Sequence, residues 1–143
     1  MRYIIYCNQK NISDNHQQAI LEFKKRLSAY CETDLILSST LHLDKNISKS
    51  NHQILFVSNG PSKFSSEEFA SYIHNIQLTG KSNLHILIGY DLTDLYTNTP
   101  SDLLPPDSLS ITKFDLSHET VTLLFYEQLY RAYTILQGKT YHK

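Results

Sequence analysis

The chain alternates short, dense apolar runs with longer stretches in which apolar residues recur every three or four positions. Tyr3 to Cys7 is an unbroken apolar run of strand length. Ser13 or Asp14 can cap a helix running to about Tyr30, with Ile20, Phe23, Leu27 and Tyr30 at helical spacing. Leu35 to Leu37 forms a short second strand. From Ser38 to His52 the chain is rich in Ser, Asn and Lys and holds no sustained period, so it reads as a mobile loop. Ile54 to Val57 is a buried strand closed by the turn cluster Ser58-Asn59-Gly60-Pro61. Ser65 followed by Glu68 has the spacing of a capping box. It opens a helix through Phe69, Ile73 and Ile76 to Gly80. Leu84 to Ile88 is the next strand. Asp91 to Pro106 holds three prolines and little regular pattern. Leu109 to Ile111 is a final short strand, and a terminal helix runs from about His118 to Gln137 before stopping at Gly138.

Strands that alternate with helices predict an α/β fold around a mostly parallel sheet. No linker or internal repeat divides the chain, so residues 1–143 are expected to form one domain with one real core. The terminal helix is apolar on more than one face. Val121, Leu124, Phe125, Leu129 and Leu136 form one stripe, and Leu123, Tyr126, Tyr130 and Tyr133 lie off it. A surface helix needs a single stripe, so the second predicts a partner, with burial inside one chain as the alternative.

Composition narrows the function classes. Hydrophobic content is 41%, ordinary for a globular chain, and the apolar runs are too short to span a bilayer. The start, with one Arg and a brief apolar stretch, reads as a strand rather than a signal peptide, and a cytoplasmic location is expected. Cys7 and Cys31 share no motif spacing and read as core residues. His16, His42, His52, His74 and His85 have no metal-ligand spacing and read as surface or strand histidines, so no metal is expected. Net charge is −1, without the basic field of a dedicated RNA binder. Local basic clusters remain at Lys24-Lys25-Arg26 and at Arg131, Lys139 and Lys143.

The chain spends Tyr141 and His142 at its very end, where sequences usually turn polar and loose. From His118 onward, Glu127-Gln128, Tyr130-Arg131-Ala132, Ile135, Gly138 and Tyr141-His142 form one ungapped block, with Leu109-Ser110 upstream. This block resembles the RlmH family, the SPOUT-class methyltransferases that modify a pseudouridine in large-subunit ribosomal RNA. The resemblance is close over about the last quarter of the chain and colinear over the rest.

The resemblance implies an α/β knot whose C-terminal helix passes through a loop, a homodimer, and S-adenosylmethionine as cofactor. It places the cofactor at Phe56, Gly89, Ile111, Thr112, Lys113, Phe114, Asp115 and Leu116, largely against backbone groups. Those positions follow three predicted strands, where open α/β sheets bind ligands. It makes His142, Arg131, Tyr141 and His118 the catalytic candidates. An imidazole at His142 can accept a proton near neutral pH. Arg131 can steady a phosphate or a uracil oxygen, and Tyr141 can stack on a base. Plainer roles stand beside these. His142 can be a solvated end residue, His118 a first-turn helix residue, Tyr141 a packing group, and Arg131 the i,i+4 partner of Glu127.

Three departures from the family pattern matter. Where the family reads Ile-Gly-Gly-x-x-Gly, this chain reads Ile88-Gly89-Tyr90-Asp91-Leu92-Thr93. Either the loop takes another path or the pocket is narrowed. The Arg four residues after the family's His is replaced by Thr122, and the segment after the second strand is trimmed. A second reading follows: an inactive relative that binds RNA, the ribosome or another partner without methyl transfer.

Overall fold

The computed structural model describes residues 1–43, 46–47, 49–59, 64–97 and 106–140. Its elements, in chain order, are β1 (Arg2–Cys7), α1 (Asp14–Leu27), β2 (Glu32–Leu37), β3 (His52–Asn59), α2 (Ser66–Leu78), β4 (Asn83–Ile88), α3 (Leu92–Thr97), β5 (Asp107–Thr112) and α4 (His118–Leu136). The five described strands form one sheet in the order β2-β1-β4-β3-β5. Every pairing is parallel, with Ile5 between Leu35 and Ile86, and Leu55 beside Ile86.

Both faces of the sheet are covered, which is why its central strands read as unbroken apolar runs rather than alternating ones. Tyr3, Ile5, Leu55, Val57, Leu84, Ile86, Ile88 and Leu109 meet Ile20 and Leu27 of α1, Phe69 and Ile73 of α2, and Val121, Phe125 and Leu129 of α4. Ile4, Tyr6, Ile54 and Leu87 point the other way, into a cluster with Leu41, Ile47, Tyr90 and Leu95. His85 is fully buried on that second face, with Nε2 2.8 Å from His52 Nδ1 and Nδ1 3.2 Å from the Tyr6 hydroxyl. Cys7 and Cys31 are buried free thiols, and burial pushes Cys31 up to about 11.

Two stretches without a visible period carry structure. The segment expected to be a mobile loop after β2 seats Leu41 and Ile47, at 2% and 4% exposure, against the second face. Isolated apolar residues among polar ones leave no periodic trace. The stretch after β4 contains α3, opened by reciprocal bonds in which the Asp91 amide donates to Asp94 Oδ2 at 2.9 Å and the Asp94 amide donates to Asp91 Oδ1 at 2.8 Å.

The helix starts follow their caps. Ser13 accepts from the His16 amide, Ser65 and Glu68 complete the capping box, and Ser117 accepts from the Thr120 amide. Helix α1 ends at Leu27, short of Tyr30.

The second stripe of α4 has its partners inside this chain. Tyr126 and Tyr133 are buried, and the Tyr133 hydroxyl lies 2.8 Å from that of Tyr3 while its ring stacks on Tyr30 at 5.5 Å. Leu123 and Tyr130 pack half-buried at the edge of the same core. Burial within one chain thus accounts for Tyr126 and Tyr133, while Leu123 and Tyr130 stay half-buried.

Candidate functional site

The carboxyl ends of β1 and β4 meet the first turn of α4, which follows β5 through a short turn. The β1 exit is tied to β4: the Asn8 amide donates to the Ile88 carbonyl at 2.9 Å, and Asn8 Nδ2 donates to the Gly89 carbonyl at 2.8 Å. Gly89 has φ +84°, a backbone state that L side chains rarely adopt. A Cβ built on it would lie 2.7 Å from Cε1 and Nδ1 of His118 and 2.9 Å from Cδ2. Near-equal distances to atoms on opposite sides of the ring mean that the imidazole lies face-on over Gly89.

His118 Nδ1 lies 2.9 Å from the Asn8 carbonyl oxygen. A carbonyl only accepts, so Nδ1 carries the proton and Nε2 is left to act on anything else. Neighbours hold this helix turn in place. The Glu119 amide donates to Gln9 Oε1 at 3.2 Å, and Glu119 Oε2 accepts from the Ser13 amide at 2.9 Å. His16 reaches across as well, with Nε2 3.1 Å from Thr120 Oγ1. Thr122 is fully buried and donates its hydroxyl to the His118 carbonyl at 2.8 Å.

The turn between β5 and α4 supplies the polar side of the edge. Thr112 Oγ1 accepts from the Phe114 amide at 3.1 Å, which folds the chain back after the strand. Lys113, Phe114 and Asp115 are exposed, Phe114 at 75%, while Ile111 and Leu116 pack against the core. Phe56 is half-buried lower on β3, in register with Leu87, with its ring on the second face. Residues 60–63 and 98–105, which flank this edge in sequence, lie outside the described residues.

Tyr90 neither closes the edge nor hangs free. Its ring joins the second-face cluster and its hydroxyl donates to the Ser38 carbonyl. Thr93 is exposed in the first turn of α3.

Arg131 lies elsewhere. Its Nη2 donates to Glu127 Oε1 at 2.7 Å, and Gln128 links Glu127 to Ser66 at the start of α2. With Lys139 and Thr134 it lines a groove of about 460 Å³. Along α4 it is roughly 20 Å from His118 at 1.5 Å per residue. One chain therefore brings His118 to the strand-end edge beside Gly89 and holds Arg131 away from it. Tyr141 and His142 lie outside the described residues.

Asn8 and the Gln9–Glu119 contact are parts of the edge that the sequence reading missed. The only available signal for Asn8 was its place just beyond an apolar strand. Among the described residues no three His, Cys, Asp or Glu side chains are grouped to hold a metal ion. Nor is any helix there long and apolar enough to cross a membrane.

Residues 1–142 match the family model described as a predicted SPOUT methyltransferase. The chain belongs to this family. It is 31% identical over 144 residues to the ribosomal RNA large subunit methyltransferase H 1 of Thermoanaerobacter sp. (strain X514), with the whole of both chains covered. It is 32% identical over 149 residues to the ribosomal RNA large subunit methyltransferase H of Bacillus thuringiensis (strain Al Hakam), covering 89% of this chain and 90% of that relative. The protein of that name in Clostridium kluyveri (strain ATCC 8527) is 29% identical over 146 residues, with 87% and 89% covered. The likeness read from the last quarter thus extends over the full chain.

Proposed function

We propose that this chain methylates a pseudouridine of large-subunit ribosomal RNA, with S-adenosylmethionine as methyl donor, as a cytoplasmic homodimer. The end-to-end correspondence with the large-subunit methyltransferases H carries this reading. The chemistry of the exposed turn supports the cofactor: Lys113 suits a carboxylate, Phe114 an adenine face, and Asp115 a cationic amino group. The bound cofactor supplies an electrophilic sulfonium methyl. Everything else falls to this chain: binding, alignment and handling of one proton.

The roughly 20 Å between His118 and Arg131 supports the dimer. A second copy, with the end of its α4 against the cofactor edge of the first, would complete a composite site. There Arg131, oriented by Glu127, would hold a uracil oxygen or phosphate. Tyr141 would stack on a base, and His142 would accept the ring proton.

Incubation with large ribosomal subunits and labelled S-adenosylmethionine tests the reading. Label in the RNA, lost with Arg131→Ala, is the expected result. Saturable cofactor binding with no transfer to any ribosomal particle would favour the inactive relative.

A further inference from the structure

We propose that Tyr90 is a positioning residue for the cofactor loop. Its side chain ties the turn after β4 to the segment after β2, so that Gly89 to Asp91 is ordered before ligand arrives. This rests on the reading of that edge as the S-adenosylmethionine site.

The turn after β4 is held on two sides. On one side, His118 covers Gly89, and the Gly89 carbonyl accepts from Asn8. On the other, Tyr90 is only 8% exposed, packed in the cluster that holds Leu41, Ile47 and Leu95, with its hydroxyl on the Ser38 carbonyl. Ser38 is itself fixed: its amide donates to the Cys7 carbonyl at 3.1 Å, and its hydroxyl donates to the Thr40 carbonyl at 2.7 Å. Tyr90 therefore joins the exits of β4, β2 and β1. Immediately downstream, the Asp91–Asp94 exchange starts α3, whose Leu95 returns to the same cluster.

A glycine at position 90 would leave this loop with more backbone freedom to lose on binding. A tyrosine with a buried ring and a satisfied hydroxyl removes that freedom in advance. Burial pushes Tyr90 up to about 12, so the hydroxyl remains a donor across the working range of pH. The segment after β2 is the other half of the device, because its Leu41 and Ile47 belong to the same buried cluster as the ring.

The test is a calorimetric S-adenosylmethionine titration of full-length wild type, Tyr90→Phe and Tyr90→Gly, with hydrogen exchange on the ligand-free proteins. Loss of one hydrogen bond predicts affinity about threefold to tenfold weaker for Tyr90→Phe, and weaker still for Tyr90→Gly. Turnover at saturating cofactor should stay within about twofold, since the loop reaches the same bound state. Amides at 38–41 and 89–95 should exchange faster together in both variants. Tyr90→Gly binding as tightly as wild type, or more tightly, would overturn the proposal and mean that the ring crowds the pocket. Faster exchange confined to one of the two segments would overturn it as well. Wild type that fails to bind cofactor sinks both this role and the reading of the edge. Wild type that binds, with variants that bind equally, sinks only the role of Tyr90.

Discussion

The imidazole of His118 lies face-on over Gly89, with its Nδ1 2.9 Å from the Asn8 carbonyl. Glycine at position 89 is thus required twice, by its φ of +84° and by the ring above it. Gly89→Ala should cost about 2–4 kcal/mol in denaturant unfolding, from backbone strain plus overpacking. It should also weaken cofactor binding by at least about tenfold. A loss below about 0.5 kcal/mol would mean that the ring moves aside freely.

Arg131 and His118 should act on one substrate only across a subunit boundary. Arg131→Ala should abolish transfer while leaving cofactor affinity within about twofold of wild type. Mixing Arg131→Ala with His118→Ala protein and allowing subunit exchange should restore about a quarter of wild-type activity, since half the dimers then hold one intact composite site. No recovery after confirmed exchange would place both residues in the same chain's site.

Tyr126 and Thr33 bear the buried side-chain polar atoms without a hydrogen-bond partner among the described residues. Burial pushes Tyr126 up to about 12, and the neighbouring Thr33 side chain tempers that rise. Removing an unsatisfied hydroxyl relieves a desolvation cost, so Tyr126→Phe should be neutral or stabilising by up to about 1 kcal/mol. Destabilisation beyond about 1 kcal/mol in urea unfolding would reveal a partner for this hydroxyl.

Alkaline pH should unfold the protein through its buried phenols. Burial raises Tyr3, Tyr72, Tyr126 and Tyr133 above their ordinary value of 10.0. The native state then holds protons that the unfolded chain releases, so this stabilisation is complete below pH 10 and is lost as pH rises through the native values. Urea midpoints should be flat from about pH 8 to 9 and fall steeply above about 10. A flat profile to about pH 11 would contradict it.

The strands were legible because the sheet is covered on both faces and its interior strands are unbroken apolar runs. Thr33 and Asp34 were missed as part of β2 because pairing joins them to β1, where Arg2 reaches Asp34 at 2.8 Å, and no hydrophobic pattern records that. Leu41, Ile47 and Leu95 were missed as isolated apolar residues. Tyr126 and Tyr133 were seen as apolar, but their burial against Tyr3 and Tyr30 depends on chain packing that periodicity does not encode. At the candidate site, the strand-end rule and the family resemblance pointed to Gly89 and the 111–116 turn. They could not reveal the bond between His118 and Asn8, which lie 110 residues apart, nor the path of Tyr90.

Methyl transfer to the ribosome tests the central claim most directly. Large subunits from cells lacking this modification would be incubated with wild-type protein and labelled S-adenosylmethionine, and the RNA digested to nucleosides. Label is expected in one methylated pseudouridine, and absent with Arg131→Ala. Label in another nucleoside, or none with folded protein that binds cofactor, would contradict it.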